Sequence, residues 1–368
     1  MRETDVFVVG GGPAGLAAAL AARRKGFSVL LADGAEPPID KPCGEGMMPE
    51  TPTALKELGV EIPAGVGRRI RGIRFVQGRT KVAADFPAGP GLGIRRPFLH
   101  ELLVERAEKC GVRFFWKTAV AGISREDVQL PMRTVRARWI IGADGSGSRV
   151  RRWSKLEATR QRKQRNASRR HYRVEPWTEY MEIHWGERAQ AYVTPISGEE
   201  VCVVMMAESP DDAGFDDRLE DFPELRERLA GAELASRERG AITAMRSLRR
   251  VTQGNVVLVG DASGGVDPIT GEGLRLAFRQ ALVLADAMEA GDLGEYERMH
   301  RRLARRPTWM GELMLQLGRN GWMRDRVMEI LSKRPELFSR LLAIHAGHAK
   351  PGEWIATGAQ FGWEFLAA

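Results

Sequence analysis

The densest run of chemistry-bearing positions opens the chain, where Gly10-Gly11-Gly12-Pro13-Ala14-Gly15 joins the apolar run Val6 to Val9 to a stretch of helical character. Glycines at this spacing serve anion binding. Gly10 permits a tight turn, Gly12 lets the backbone approach a pyrophosphate, and Gly15 allows close packing of helix on strand. Pro13 and Ala14 begin the helix, whose first N–H groups and positive dipole end then face the phosphates. Asp33 closes the next apolar run, Ser28 to Ala32, about twenty residues after Gly12. A carboxylate there accepts hydrogen bonds from ribose hydroxyls and disfavours a 2′-phosphate. The glycine pattern alone also suits a purely structural turn. In the order strand, loop, helix, strand, acid it reads as a dinucleotide site.

Two later turns carry the same kinds of residue: Gly142-Ala143-Asp144-Gly145, followed by Ser148-Arg149-Val150-Arg151, and Gly260-Asp261-Ala262, running on through Asp267-Pro268 to Gly271-Glu272-Gly273. A thiol, Cys43, lies in the loop Lys41-Pro42-Cys43-Gly44-Glu45-Gly46. Further on, Arg170-His171-Tyr172, Trp177, His184, Trp185 and Tyr192 bring aromatic and titratable groups together. His171 is the first choice for an acid/base role, because imidazole titrates near neutrality; a histidine in a strand is also commonly structural. Cys43, Cys110 and Cys202 are too far apart for metal-ligand spacing, and no metal site is expected.

The elements that must hold these residues follow from periodicity. A helix from Pro13 to about Lys25 and a strand over Ser28 to Ala32 complete a βαβ unit. Gly34 to Pro49 reads as a long loop, Pro97 to Lys109 as a helix, and Val112 to Trp116 and Arg138 to Ile141 as strands. Alternation over Tyr180 to Trp185, Ala189 to Thr194 and Val201 to Met206 predicts an antiparallel sheet. Asp217 to Leu229 reads as a helix, Ile242 to Leu248 as a strand, and Asn255 to Val259 as a return to the first sheet. A helix over Glu272 to Ala290 and further helices to His348 finish the chain. The expected fold is α/β: a Rossmann-like cofactor domain with a parallel sheet (residues 1–85, 95–155 and 250–295), an interleaved antiparallel-sheet substrate domain (165–249), and C-terminal helices (296–368).

The segments GGGPAG with Asp33, GADGSGSRVRR and GDASGGVDPITGEG occur in that order between residue 5 and about residue 290. In this the sequence resembles the FAD-dependent superfamily of aromatic hydroxylases (single-component flavin monooxygenases), geranylgeranyl reductases and flavin-dependent halogenases. The resemblance implies FAD as cofactor, with Asp144 and Gly145 near the pyrophosphate and the approach of a nicotinamide donor. It implies that Gly260 and Asp261 meet the ribityl chain, and that Pro268 and Gly271, Glu272 and Gly273 lie against the isoalloxazine. The following helix N-terminus would then stabilise negative charge on the reduced ring. Arg96 resembles a cofactor-contacting position, with Arg95 ranking below it. The Cys43 loop is similar to the KPCGGG segment of geranylgeranyl reductases, with Glu45 in place of the middle glycine. There Cys43 would touch the flavin or tune it; a small buried hydrophobe is the alternative. Asp261 as a turn cap and Arg96 as a surface arginine also stay open. Tyr192-Val193-Thr194-Pro195 resembles the strand that roofs the substrate pocket, which makes Tyr192 the third catalytic candidate beside Cys43 and His171.

Absences narrow the reading. There is no second GxGxxG, no CxxC pair, no tryptophan-rich halogenase signature and no recognisable aromatic motif of the lipid-reducing geranylgeranyl reductases. The first expectation is a monooxygenase, reduced by NADH or NADPH, that uses molecular oxygen on an apolar small molecule, aromatic ones included. A reductase of C=C bonds in an isoprenoid or lipid is the alternative, and a non-catalytic flavin-binding protein a third.

Composition supplies the outer bounds. A chain of 368 residues, 43% apolar and 28% charged, is ordinary for two joined globular domains. Three scattered cysteines and no recognisable secretory segment suggest a reducing, cytoplasmic setting. The net charge of +8 is concentrated in Arg149 to Arg152, Arg160 to Arg173 and Arg301 to Arg306, which read as a solvated basic face. No nucleic-acid motif accompanies them, so no nucleic-acid partner is expected. Trp309, Met310, Met314, Leu315, Leu317, Trp322, Met323 and Met328 fit either a packed helix or a weak membrane-surface contact. Nothing in the sequence sets an oligomeric state.

Overall fold

In the computed structural model, residues 3–156, 158–161, 164–208 and 213–367 are described. The first strand, Thr4–Val9, ends in the apolar run Val6 to Val9, buried on both faces as a central parallel strand requires. It pairs in parallel with Val29–Ala32 on one side and with Arg133–Gly142 on the other. Arg113–Phe115 and Val256–Leu258 extend the sheet in parallel at its two sides, so its core alternates strands from three separate stretches of chain. The helices Pro13–Arg24, Arg96–Lys109 and Gly273–Ala290 cover one face, sharing a core with Leu16, Leu20, Leu99, Leu103, Phe278 and Leu284.

The second sheet is built round Arg165–Arg173, Glu200–Glu208, Ala189–Pro195 and Tyr180–Trp185, all antiparallel neighbours. It is larger than the alternation predicted. The hairpin Gly72–Gln77 and Thr80–Asp85 joins it, with Gly72–Gln77 parallel to Tyr180–Trp185. Residues 72–85, grouped with the cofactor domain from their position in the chain, therefore belong to this sheet. One face packs on the short helices Phe215–Leu219 and Pro223–Leu229, which replace the single predicted helix; Phe222 and Pro223 interrupt it. The predicted strand over Ile242 to Leu248 is likewise two pieces, Arg239–Thr243 and Arg246–Leu248. The loop Gly34 to Pro49 contains a two-residue strand, Gly46–Met47, paired with Gly91–Gly93.

The other face of the second sheet meets the cofactor side of the molecule and the C-terminal helices Leu293–Arg319, Gly321–Lys333 and Pro335–Ala346. Cross-strand register puts His171, Cys202 and Thr194 in one row of this face, and Arg169, Val204 and Tyr192 in the next. The basic run is thus not a solvated face. Arg165, Arg169 and His171, two or four residues apart on one side of a strand, are all buried. Arg162 and Lys163 of that run lie outside the described residues.

Candidate functional site

The three glycine turns stand together at the carboxyl ends of three adjacent parallel strands, the position where open α/β sheets bind ligands. Their contact is close enough to exclude side chains. A Cβ on Gly10 would lie 2.5 Å from the Ala143 carbonyl oxygen, and one on Gly260 would lie 2.6 Å from the Ala14 methyl. Pro13 stands at the head of the first helix, which has no side-chain cap and no acid in its first turn, so its leading amides remain free for an anion. In front of them, at Gly12, there is no protein atom within 4 Å of a built Cβ.

Asp33 accepts from the backbone N–H of Gly11 at 2.6 Å and of Ala35 at 2.7 Å, which fixes its carboxylate at the end of the second strand. His100 braces the same loop: its Nε2 donates to the Gly11 carbonyl at 2.8 Å while Nδ1 accepts from Ile39 N–H at 3.4 Å. Burial pushes the His100 pKa down, in keeping with a neutral ring in that role.

The Asp261 side chain, which retains solvent exposure, has no hydrogen-bond partner among the described residues; its backbone carbonyl accepts from Gly264 N–H at 3.4 Å. Burial among protein atoms raises its pKa, opposed by the cations Arg96, Lys41 and Arg246 around it. Lys41 reaches over Gly145, with Nζ 3.6 Å from a Cβ built there. Neither Lys41 nor Arg246 was singled out from sequence. An uncapped helix N-terminus, a cradle that a Cβ would fill, an orphan Asp261 carboxyl and the buried Arg96 Nε without a partner make up the donor and acceptor set of a dinucleotide. The residues present fit FAD.

At two other predicted cofactor positions the carboxylate has protein partners. The Asp144 carboxylate accepts from Ser148 Oγ at 2.5 Å and from the N–H groups of Arg149 and Val150, and so holds the start of helix Arg149–Trp153. Glu272 is buried and turned inward onto Arg275, with His345 Nε2 at 3.7 Å. Arg95 pairs with Glu200. Pro268 is exposed, while Gly271 lies under Met48 and Met181 and Gly273 stands clear of other atoms.

Cys43 and His171, by contrast, are joined through a residue that sequence reasoning noticed but did not assign. Glu45 is buried with φ +59, a conformation that costs about 1–2 kcal/mol for a residue with a Cβ. Its Oε1 accepts from Arg96 N–H at 2.9 Å and from Arg169 Nη1 at 3.2 Å, and its Oε2 lies 2.7 Å from His171 Nε2. His171 Nδ1 is 2.6 Å from Ser236 Oγ, a partly exposed hydroxyl. On the other side, Cys43 Sγ accepts from Glu45 N–H at 3.3 Å and from Arg96 Nη1 at 3.7 Å. Arg169 is anchored by a bidentate pair with Asp40, both contacts 2.9 Å. Burial works to raise the Asp40 pKa, but the Arg169 and Arg239 guanidinium groups prevail and hold it below the usual carboxylate range.

Glu45, His171 and Cys202 have ligand atoms close enough for a metal ion. The Arg169 guanidinium on Glu45 and the direct Glu45–His171 hydrogen bond make them a hydrogen-bonded cluster instead. Burial raises the Cys202 thiol well above its ordinary value, which keeps it protonated. Tyr192 does not join this network. Its hydroxyl donates to Gln190 at 2.8 Å beneath the C-terminal helices, beside Arg165, which pairs with Asp267 at 2.8 Å.

Behind the Gly260 turn, His300 Nε2 donates to Ser263 Oγ at 2.8 Å, and Ser263 Oγ donates to the Gly260 carbonyl at 2.7 Å. Burial lowers the His300 pKa from 6.5 to about 4. Between those values the unfolded chain binds a proton that the folded chain refuses, so this contribution is complete above pH 6.5 and is lost as pH falls towards 4. The loss reaches about 3 kcal/mol. Denaturant titrations from pH 7 to 4 should show the decline, and His300→Gln should make it shallower; an unchanged slope would remove His300 as its source.

The match to known proteins agrees with this geometry. Residues 3–294 match the family described as "FAD binding domain". The menaquinone reductase of Mycobacterium tuberculosis (strain ATCC 25618 / H37Rv) is 30% identical over 321 residues, covering 79% of this chain and 78% of its own. The digeranylgeranylglycerophospholipid reductase 1 of Methanothermobacter thermautotrophicus is 28% identical over 334 residues, covering 82% and 83%. Among solved structures, a flavoprotein/dehydrogenase from Cytophaga hutchinsonii superposes with a TM-score of 0.80 at 20% identity, covering 94% of this chain and 93% of that one, which is a likeness of fold. With the family matched over most of its length and three strand-end turns shaped for a dinucleotide, the chain belongs to the FAD binding domain family and is an FAD-dependent oxidoreductase.

Proposed function

We propose that this protein is a reductase that saturates a carbon–carbon double bond in an isoprenoid chain of a lipid or quinone, with NADH or NADPH as reductant. The observation that carries the reading is the hydrogen-bonded series from the partly exposed Ser236 through His171 to the Glu45 carboxyl, two residues from Cys43 in the same loop. Saturating an unactivated alkene requires a proton as well as a hydride, and a series of this kind holds one. Bound FAD supplies the hydride, drawn from the nicotinamide donor.

Within the protein, the half-buried Cys43 thiol is the group placed to give its proton to the second carbon of the alkene. The Glu45 N–H and Arg96 guanidinium aimed at Sγ hold the sulfur while the proton is away. The half-buried thiol regains its proton through water, and His171 and Glu45 hold the exchangeable proton, Glu45 two residues away on the same loop. Two proton arrangements satisfy their hydrogen bonds: Ser236 O–H to Nδ1 with Nε2–H to Glu45, or Nδ1–H to Ser236 with the proton on the Glu45 carboxyl. The shift from the first to the second moves protons inward along the chain. Met48 and Met181, beside Gly271, are the apolar side chains assigned to an isoprenoid segment. Atoms balance: one hydride and one proton enter the alkene, and the nicotinamide leaves oxidised. A reducing compartment, with three free cysteines, is the setting this chemistry needs.

The relatives named above support the reductase over the oxygenase that the sequence ranked first, since an oxygenating enzyme has no need of proton delivery to an alkene carbon. The test is anaerobic turnover of FAD-loaded protein with NADPH and a polyprenyl quinone or geranylgeranyl lipid, read by mass spectrometry. Gain of two hydrogens without oxygen is the expected product. Turnover that begins only when oxygen is admitted, with an oxygen atom in the product, would replace this reading with the monooxygenase.

A further inference from the structure

The helix Pro351–Ala367 is amphipathic in the wrong sense for a helix facing water. At the helical period of 3.6 residues, Ile355, Ala359, Gly362 and Leu366 form one stripe, with Gly358 and Trp363 on its flanks. All six are exposed, Ile355 by 76%, Trp363 by 72% and Leu366 by 86%, and no charged residue interrupts them. The polar side chains point the other way, onto the protein: Glu364 pairs with Arg334 at 3.1 Å and Gln360 accepts from Arg340 at 2.9 Å. Neighbouring helices continue the patch. Trp309 packs on Trp354 with ring centroids 6.2 Å apart, and the exposed Trp322 packs on Phe365 at 5.6 Å.

Cations border this apolar face. Arg302 and Arg305 are exposed, precede Trp309 by about two helical turns and about one, and have no acidic partner among the described residues. The Lys350 ammonium, at the head of the terminal helix, is also unpaired; Glu353 there accepts from the Lys350 backbone N–H. No helix among the described residues is long and apolar enough to cross a membrane. An in-plane contact is what remains for tryptophans, aliphatic residues and unpaired arginines on one surface.

We infer that the Pro351–Ala367 helix, with Trp309 and Trp322, docks the protein on an anionic lipid surface. The apolar stripe enters the acyl boundary while Arg302, Arg305 and Lys350 meet the phosphates. Negative charge is the complement this rim selects, which favours an anionic bilayer over a second copy of the same basic chain.

The experiment uses FAD-loaded full-length protein and sedimentation with vesicles of phosphatidylcholine containing or lacking phosphatidylglycerol. Wild type should pellet with the anionic vesicles, bind at least tenfold less to the neutral ones, and release with salt. Ile355→Glu with Trp363→Glu should abolish pelleting while flavin occupancy and the thermal melt are retained. Arg302→Glu with Arg305→Glu should weaken binding to anionic vesicles only. Absence of pelleting, or pelleting indifferent to these changes, overturns the proposal. So does a wild-type dimer in the absence of lipid that the Ile355 and Trp363 changes convert to monomer, because the occupant would then be a second copy. Vesicle binding is read without turnover, so failure of the reductase reading and failure of this one are separate results.

Discussion

Gly12→Val should purify as a folded protein almost devoid of flavin. Gly12 has φ −71 and ψ 176, extended backbone that any residue adopts, and a Cβ there meets no protein atom within 4 Å. Valine therefore costs the folded chain little. What its side chain fills is the space ahead of the uncapped helix amides, where the pyrophosphate must come within hydrogen-bond distance. Loss of those contacts should weaken FAD at least about 100-fold, or about 3 kcal/mol. Gly15→Val tests the opposite case. A Cβ on Gly15 would sit 1.9 Å from the Gly10 carbonyl oxygen, so that variant should be destabilised by about 3 kcal/mol or more even as apoprotein. Flavin absorbance per protein and apoprotein denaturation, measured side by side, separate the two. Full flavin occupancy in Gly12→Val would mean that the pyrophosphate does not lie in front of that helix.

The contrast between those glycines shows which parts of the site are legible in sequence. Gly10, Gly12, Gly15, Asp33, Gly260 and Asp261 answer to local backbone geometry, and the residue types that such geometry tolerates are few. Asp144 and Glu272 belong to the same turns, yet their carboxylates serve the protein. Asp144 caps amides five and six residues ahead, and Glu272 pairs three residues on, both local options open to any acid near a helix start. The strand Arg165–Arg173 is the harder case. A run of arginines suggests solvent, and what buries Arg165 and Arg169 are carboxylates distant in the chain: Asp267 for one, Asp40 and Glu45 for the other. A trace was present, since Arg165, Arg169 and His171 keep the period of a strand with one buried face. Strand neighbours such as Gly72–Gln77 beside Tyr180–Trp185 depend on tertiary pairing that no local pattern encodes.

Glu45→Gln should lower kcat/KM for alkene reduction by about 10²- to 10⁴-fold, the span of a lost proton-transfer step. Glutamine keeps the volume of the side chain, and its carbonyl still accepts from Arg96 N–H and Arg169. Arg169 itself stays paired with Asp40, so no buried guanidinium is left alone. What is lost is the carboxyl oxygen that exchanges a proton with His171 Nε2 at 2.7 Å. Reduction of the flavin by NADPH in the absence of substrate should proceed as in wild type, because no group altered here handles that hydride. His171→Gln should fall by a similar factor, whereas Ser236→Ala should lose much less, since water can reach Nδ1 where Ser236 is partly exposed. A purely structural role for Glu45 predicts the reverse: lower flavin occupancy and an earlier melt, with an unchanged pH profile and solvent isotope effect for the protein that remains folded. The relay predicts intact occupancy and an altered solvent isotope effect on turnover. A Glu45→Gln enzyme within about threefold of wild type on this measure would remove the proton path, and with it the main physical reason for reading the Cys43 loop as the acid side of the reaction.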